Sequence, residues 1–235
     1  MRVIFLSFSS TNGYHQSRHR IMQEAKDSKW FDEVIICTER DLPIEVQQKY
    51  LPGWYSQQGF GYYAWKAMIV HKIFQTLEED DILVYIDTGC HINIKGEKRF
   101  KEYVEMCKTQ GDNVAIQLPY KEKWYTKKAT LALFDPAFAE TNQTLSGIFL
   151  LRKTANMISM VEEWKALSEQ THLIDNSIGP NEDFSFQAHR HDQSLLSLLR
   201  KKYGCVLIPD DETWDQDWSS EFIMNKPFHA KRLRM

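Results

Sequence analysis

Residues 81–90 read Asp81-Ile82-Leu83-Val84-Tyr85-Ile86-Asp87-Thr88-Gly89-Cys90, an uncharged, β-favouring run held between two aspartates. A continuous apolar run of this length, rather than an alternating one, predicts a strand buried on both faces, as in an α/β sheet covered by helices on either side. Asp87 then stands at the carboxyl end of that strand, where open α/β sheets place their ligands. A carboxylate there is costly unless a metal ion, a ribose hydroxyl or backbone donors satisfy it. The bland reading is a turn or cap aspartate in Asp87-Thr-Gly, and position alone leaves the two equal.

Working outward, further strand-like runs lie at 3–8, 33–37, 114–118, 148–151 and 206–208. Helical periodicity falls between them, at 16–26, 64–77, 100–109, 156–168 and 193–202. The last of these carries Leu195, Leu196, Leu198 and Leu199 on a broad apolar face. The alternation predicts an α/β fold, a Rossmann-like mixed sheet flanked by helices. Two stretches, 41–61 and 174–190, read as irregular; loops of that size in a compact domain are usually lids or binding loops. The 235 residues, without an internal repeat or a Gly/Pro/Ser-rich linker, predict one domain over 1–235 with a basic tail at 226–235.

With 43% hydrophobic and 26% charged residues the chain is an ordinary globular one. Its 29 Lys+Arg against 32 Asp+Glu give a net charge of −3, which argues against a nucleic-acid partner. No apolar run is long enough to span a membrane, and the opening Met1–Phe8 reads as a strand rather than a signal peptide. The four cysteines, Cys37, Cys90, Cys107 and Cys205, are too scattered for a disulfide framework or a structural zinc. A reducing cytoplasm is the expected home, and the sequon at Asn142 is then chance. The tail's Lys226, Lys231, Arg232 and Arg234 face no acidic neighbour, which predicts contact with an anion, a phosphate or the inner membrane surface.

Three clusters carry chemistry. His189-Arg-His-Asp-Gln-Ser194 gathers imidazoles, a guanidinium, a carboxylate and an amide at a helix start, where Asp192 or Ser194 also reads as a cap. Gly59-Phe-Gly-Tyr-Tyr-Ala-Trp-Lys66 opens a helix with glycines and a lysine, a phosphate-binding pattern whose aromatic residues read equally as core. Lys127 and Lys128 either grip a phosphate or solvate a helix start, and His229 reads by itself as a surface histidine.

Taken in order, Gly61-Tyr-Tyr-Ala-Trp-Lys, Asp81 to Cys90, Tyr125-Thr-Lys-Lys, Gly147-Ile-Phe-Leu-Leu-Arg-Lys-Thr, Glu163-Trp and His189 to Leu199 resemble a bacterial group of nucleotide-sugar glycosyltransferases with the A-type fold. The resemblance runs from the first strand to Tyr203. It implies transfer of a sugar, most simply a hexose, from a nucleotide diphosphate donor to a glycan or lipid-linked acceptor. The pathway implied is bacterial surface polysaccharide or lipopolysaccharide synthesis, at the cytoplasmic face of the membrane. It also implies Asp192 and Gln193 as catalytic residues. Asp87, Trp65, Lys66, Thr126 and Lys127 would bind the donor, and His189, His191 and Gly147 would meet the sugars. A Tyr-x-Asp-x-Asp element in that fold holds a divalent cation, Mn²⁺ or Mg²⁺. This chain keeps Tyr85 and Asp87 but has Gly89 where the second acid would stand, leaving Asp87 with His229 as the candidate ligands. Two other readings stand beside this one: a noncatalytic nucleotide-sugar-binding protein, favoured by Gly89, and a metal-dependent phosphohydrolase built on the His/Asp cluster.

Overall fold

The apolar runs become strands where the sequence puts them. The computed structural model describes residues 1–11 and 15–231, and in it β1 (Val3–Phe8), β2 (Glu33–Cys37), β3 (Ile82–Ile86), β5 (Asn113–Lys121), β6 (Asn142–Arg152) and β7 (Val206–Pro209) form one sheet. Their order is β2-β1-β3-β6-β5-β7, and a small second sheet pairs β4 (His91–Ile92) with β8 (Phe228–His229). Only β6 runs against the others, so the carboxyl ends of β1, β2, β3, β5 and β7 share one edge. The chain steps from β1 outward to β2 and then crosses back to β3. That reversal opens a crevice between the ends of β1 and β3, the usual ligand position in such sheets.

β3 is central and all five of its residues are buried. Leu83 and Tyr85 face one layer while Ile82, Val84 and Ile86 face the other, which is why the run shows no polar alternation. The first layer holds the apolar faces of α3 (Trp65–Thr76), α5 (Ala155–Ser168) and α6 (Asp192–Tyr203). The second holds α1 (His15–Ser28) and α4 (Glu97–Thr109), with Phe100 and Tyr103 against Phe228. α6 is buried well beyond its leucines: Ser197 and Arg200 are fully enclosed as well. Arg200 donates to Thr144 Oγ1 and the Leu145 carbonyl, and burial depresses its guanidinium to about 10.

Two expectations are corrected. The stretch 41–61 holds a helix, α2 (Ile44–Trp54), whose Val46, Tyr50 and Trp54 repeat every four residues onto the core; Pro52 and Gly53 hid that period by reading as a turn. The basic tail is not free through Lys231. Phe228 is fully buried, Lys226 lies 3.5 Å from Glu212 and over the Phe222 ring, and Lys231 lies over Trp218. Arg232 and Arg234 fall outside the described residues. No helix among the described residues is long and apolar enough to cross a membrane.

Candidate active site

Lys66 is the centre of the site. It sits in the first turn of α3, behind the end of β3, with its ammonium buried. Nζ lies 3.2 Å from Asp87 Oδ1 and 3.1 Å from Asp192 Oδ2, and donates to the Ser146 carbonyl at 3.2 Å. One cation therefore ties together the end of β3, the start of α6 and the middle of β6. Burial works against its charge, but Asp192 and Asp87 outweigh that, and its pKa stands above the ordinary lysine value.

The two carboxylates differ in surroundings. Asp87 is 43% exposed at the crevice, with Oδ1 accepting from the Tyr85 hydroxyl at 2.7 Å. Its backbone N–H bonds the Gly147 carbonyl, and a Cβ at residue 147 would stand 2.7 Å from Asp87 Oδ2. Only glycine leaves that carboxylate its place. Asp192 is buried, and burial lifts its pKa above the usual carboxylate range against the pull of Lys66, with Asp87 adding to the lift. Its Oδ2 faces Lys66 as an ion pair yet accepts no aligned hydrogen bond from any described residue. This leaves a buried carboxylate oxygen short of a donor beside the Lys66 ammonium.

Asp192 does not cap its helix. His191 holds the cap position, with φ 53° and ψ −124° and no side-chain cap bond, and the Asp192 carboxylate turns to Lys66 instead. The strain at His191 meets a second strained segment. Gly59, Phe60, Gly61, Tyr62 and Tyr63 all have positive φ, a left-handed turn costing about 1–2 kcal/mol for each non-glycine residue. The rings of Tyr62 and Tyr63 lie 5.2 and 6.1 Å from that of His191. Strain of this kind persists only where its surroundings enforce it, and here both strained segments border the Lys66 cluster.

Several expected roles change. The amides of Phe60, Tyr62, Tyr63, Ala64 and Lys66 all donate to chain carbonyls, so this turn is not a phosphate cradle. Trp65 is buried, stacked on Phe8 at 3.8 Å, with its indole N–H on the Gly59 carbonyl; it is core rather than donor platform. Lys127 is buried and its ammonium is taken up by Asp175 Oδ1 at 2.7 Å, the Asp175 carbonyl and the Ser177 carbonyl. It anchors the irregular 174–190 stretch and has no proton left for a diphosphate. Thr126 donates to the fully buried Glu122 and accepts from Gln143, whose Oε1 in turn holds the Gln193 amide. Thr126 and Gln193 thus belong to an internal polar network, not to an open pocket.

The histidines are likewise committed. His189 accepts from the Lys127 N–H at Nδ1 and donates from Nε2 to the Leu173 carbonyl, and burial depresses it to about 3, so it stays neutral. His191 donates from Nδ1 to the Ile174 carbonyl and is buried under the two tyrosines. His229 sits in the small sheet beside His91 and donates from Nε2 to the Ile223 carbonyl. Among the described residues no group of three His, Cys, Asp or Glu side chains could hold a metal ion.

Two features take a setting that sequence reasoning did not give them. Ser146 supplies both a carbonyl and a hydroxyl to Lys66. Arg190 has its guanidinium over Tyr125 at 3.8 Å and Tyr120 at 4.6 Å, without an ion pair among the described residues. Neither follows a recognisable spacing; adjacency to Gly147 and Asp192 was the available signal.

No family model and no curated protein sequence matches the chain. Among solved structures, it is similar to a glycosyltransferase involved in the glycosylation of the major capsid of PBCV-1, with a TM-score of 0.53 and 9% identity over 97% of this chain and 92% of that one. Mouse xyloside xylosyltransferase 1 aligns at a TM-score of 0.48 and 12% identity, over 97% and 95% of the two chains. A mannose-6-phosphate isomerase from Helicobacter pylori aligns at 0.45 and 8%, over 89% and 97%. The last two are too distant to carry an argument. The first shows that this mixed α/β fold is one a glycosyltransferase adopts.

Proposed function

We propose that the chain is a glycosyltransferase moving a sugar, of the hexosyltransferase class, from a nucleotide diphosphate donor to a glycan or lipid-linked acceptor. The observation that carries the reading is the Asp87–Lys66–Asp192 cluster at the crevice between β1 and β3, in a fold shared with a glycosyltransferase. The setting in bacterial polysaccharide or lipopolysaccharide synthesis rests on the ordered motif resemblance alone.

In this reading Asp87, exposed at the strand end, accepts hydroxyls of the donor. Asp192 takes the proton from the acceptor hydroxyl as the bond from its oxygen to the anomeric carbon forms and the bond to the diphosphate breaks. Lys66 is too deeply enclosed to grip the diphosphate; it holds both carboxylates in place and ionised, and is a positioning residue. A raised pKa suits Asp192 to accept a proton near neutrality. If the outcome is retention, the same carboxylate faces positive charge developing on the donor sugar.

The resemblance also implies a divalent cation. The side chains do not fit a resident one: Asp87 Oδ1 is shared by Tyr85 and the Lys66 ammonium, Gly89 offers no ligand, and His229 Nε2 is bonded to the Ile223 carbonyl. No step is assigned to a metal.

The test is release of nucleotide diphosphate from a panel of nucleotide-sugars by purified protein, with Asp87→Ala as the control. Turnover of at least one donor, lost in Asp87→Ala with a native far-UV CD spectrum, is the expected result. Donor binding without turnover would favour the noncatalytic reading that Gly89 supports, and equal turnover by Asp87→Ala would remove the assigned site.

A further inference from the structure

A second concavity lies on the same edge of the sheet as Asp87. It is a cleft of about 670 Å³ where β5 and β7 end, walled by Pro119, Trp214 and Phe222 and lined by Asp210, Asp211 and Asp215. Trp214 and Phe222 are each 48% exposed, so two large aromatic faces stand open on one cleft. Asp215 is committed to shaping the wall: its carboxylate accepts from the Ser220 hydroxyl at 2.6 Å and the Asp217 N–H at 3.0 Å. Asp211 is exposed and makes no bond or ion pair among the described residues. Among the described residues no lysine or arginine lines the cleft.

The strand registers place this cleft relative to the active site. Ile86 pairs with Ile148 across β3 and β6, Ala115 with Phe149 across β5 and β6, and Ile116 with Ile208 across β5 and β7. Asp87 and Asp210 therefore leave the sheet at nearly the same level, three strand spacings apart, or about 14 Å. That is the reach of a short oligosaccharide, not of a single sugar.

An open indole face with the exposed Asp211 carboxylate beside it suits the apolar faces and hydroxyl groups of a sugar. The lining carboxylates repel anions, which disfavours a phosphate or pyrophosphate in the cleft. The geometry points to an acceptor site for an uncharged oligosaccharide, whose inner sugar stacks on Trp214 while its terminal hydroxyl reaches Asp192. This rests on the glycosyltransferase reading and deepens it: of the acceptors left open above, it selects the glycan over a lipid-linked acceptor that carries phosphate.

The test uses the full chain on an array of neutral oligosaccharides and the same sugars bearing a phosphate, with Trp214→Ala and Asp211→Asn as variants. Both positions are exposed, and thermal melting checks that each variant is folded. Neutral glycans should bind and phosphorylated ones should not. Trp214→Ala should weaken glycan binding about tenfold or more, as loss of an aromatic anchor does, while donor hydrolysis stays at the parent rate. Asp211→Asn should weaken it less. The inference is overturned if phosphorylated sugars bind as well as neutral ones, if Trp214→Ala binds glycans like the parent, or if no neutral glycan binds a protein that still hydrolyses donor. Glycan binding that depends on Trp214 in a protein without donor turnover would instead remove the transferase reading, and the acceptor role with it.

Discussion

Lys66→Met separates the cluster's charge from its shape, because methionine fills the lysine stem and deletes only the ammonium. Asp87 is 43% exposed and water can take over its solvation, so the cost falls on Asp192, which is buried. Left without its cation, Asp192 escapes by taking up a proton. Holding a carboxyl neutral costs about 1.4 kcal/mol for each pH unit above its ordinary value, which caps the loss at about 4 kcal/mol at pH 7 and about 1.5 kcal/mol at pH 5. The sign follows from the direction of the shift. The variant's Asp192 is raised further than the parent's, so stability is retained at low pH and lost as pH rises through the raised value. Urea unfolding at the two pH values, read by linear extrapolation, should show a defect of about 3–4 kcal/mol at pH 7 that shrinks at pH 5. Adding Asp192→Asn to Lys66→Met should restore most of it. A defect under about 1 kcal/mol at pH 7, an equal defect at both pH values, or simple additivity within about 0.5 kcal/mol would refute the coupling.

Asp192→Asn alone should cut sugar transfer by ~10²–10⁴-fold while nucleotide-sugar still binds, with the fold kept because Asp87 still pairs the buried Lys66. Gly147→Ala should lose donor affinity in calorimetry with a native CD spectrum, because its Cβ would stand 2.7 Å from Asp87 Oδ2. Lys127→Met should leave nucleotide affinity unchanged but expose residues 174–190 to limited proteolysis, because the Asp175 and Ser177 contacts go with the charge.

The sheet was legible because the inner stretches of its strands are unbroken apolar runs. β3 has no polar residue to misplace, and Leu195 to Leu199 could only be a core helix. α2 was hidden because a proline and a glycine near a helix end carry the same local signal as a loop, while the contacts that favour the helix, Val46 and Trp54 on the core, are tertiary. The tail misled for a related reason: Lys226 faces no acid nearby in sequence, but Glu212 is brought to it through space.

For the site, sequence could rank residue types but not decide which of them spend their polarity inside the protein. Lys66 and Lys127 look alike in the chain, and each proves to be buried on an aspartate. What separates them is the carboxylate each one holds: Asp87 opens on the crevice and leaves an oxygen for a ligand, whereas Asp175 is bonded back into its own loop by Ser177. The same distinction sorts the histidines, since both nitrogens of His189 are occupied by backbone groups. A residue can serve chemistry only if folding leaves one of its polar atoms unspent. In the Lys66 cluster that condition is met at the exposed Asp87 carboxylate and at Asp192 Oδ2, which lacks an aligned hydrogen-bond donor. The assignment of function to those two aspartates therefore depends on bonds that packing withholds, a quantity that spacing along the chain does not encode.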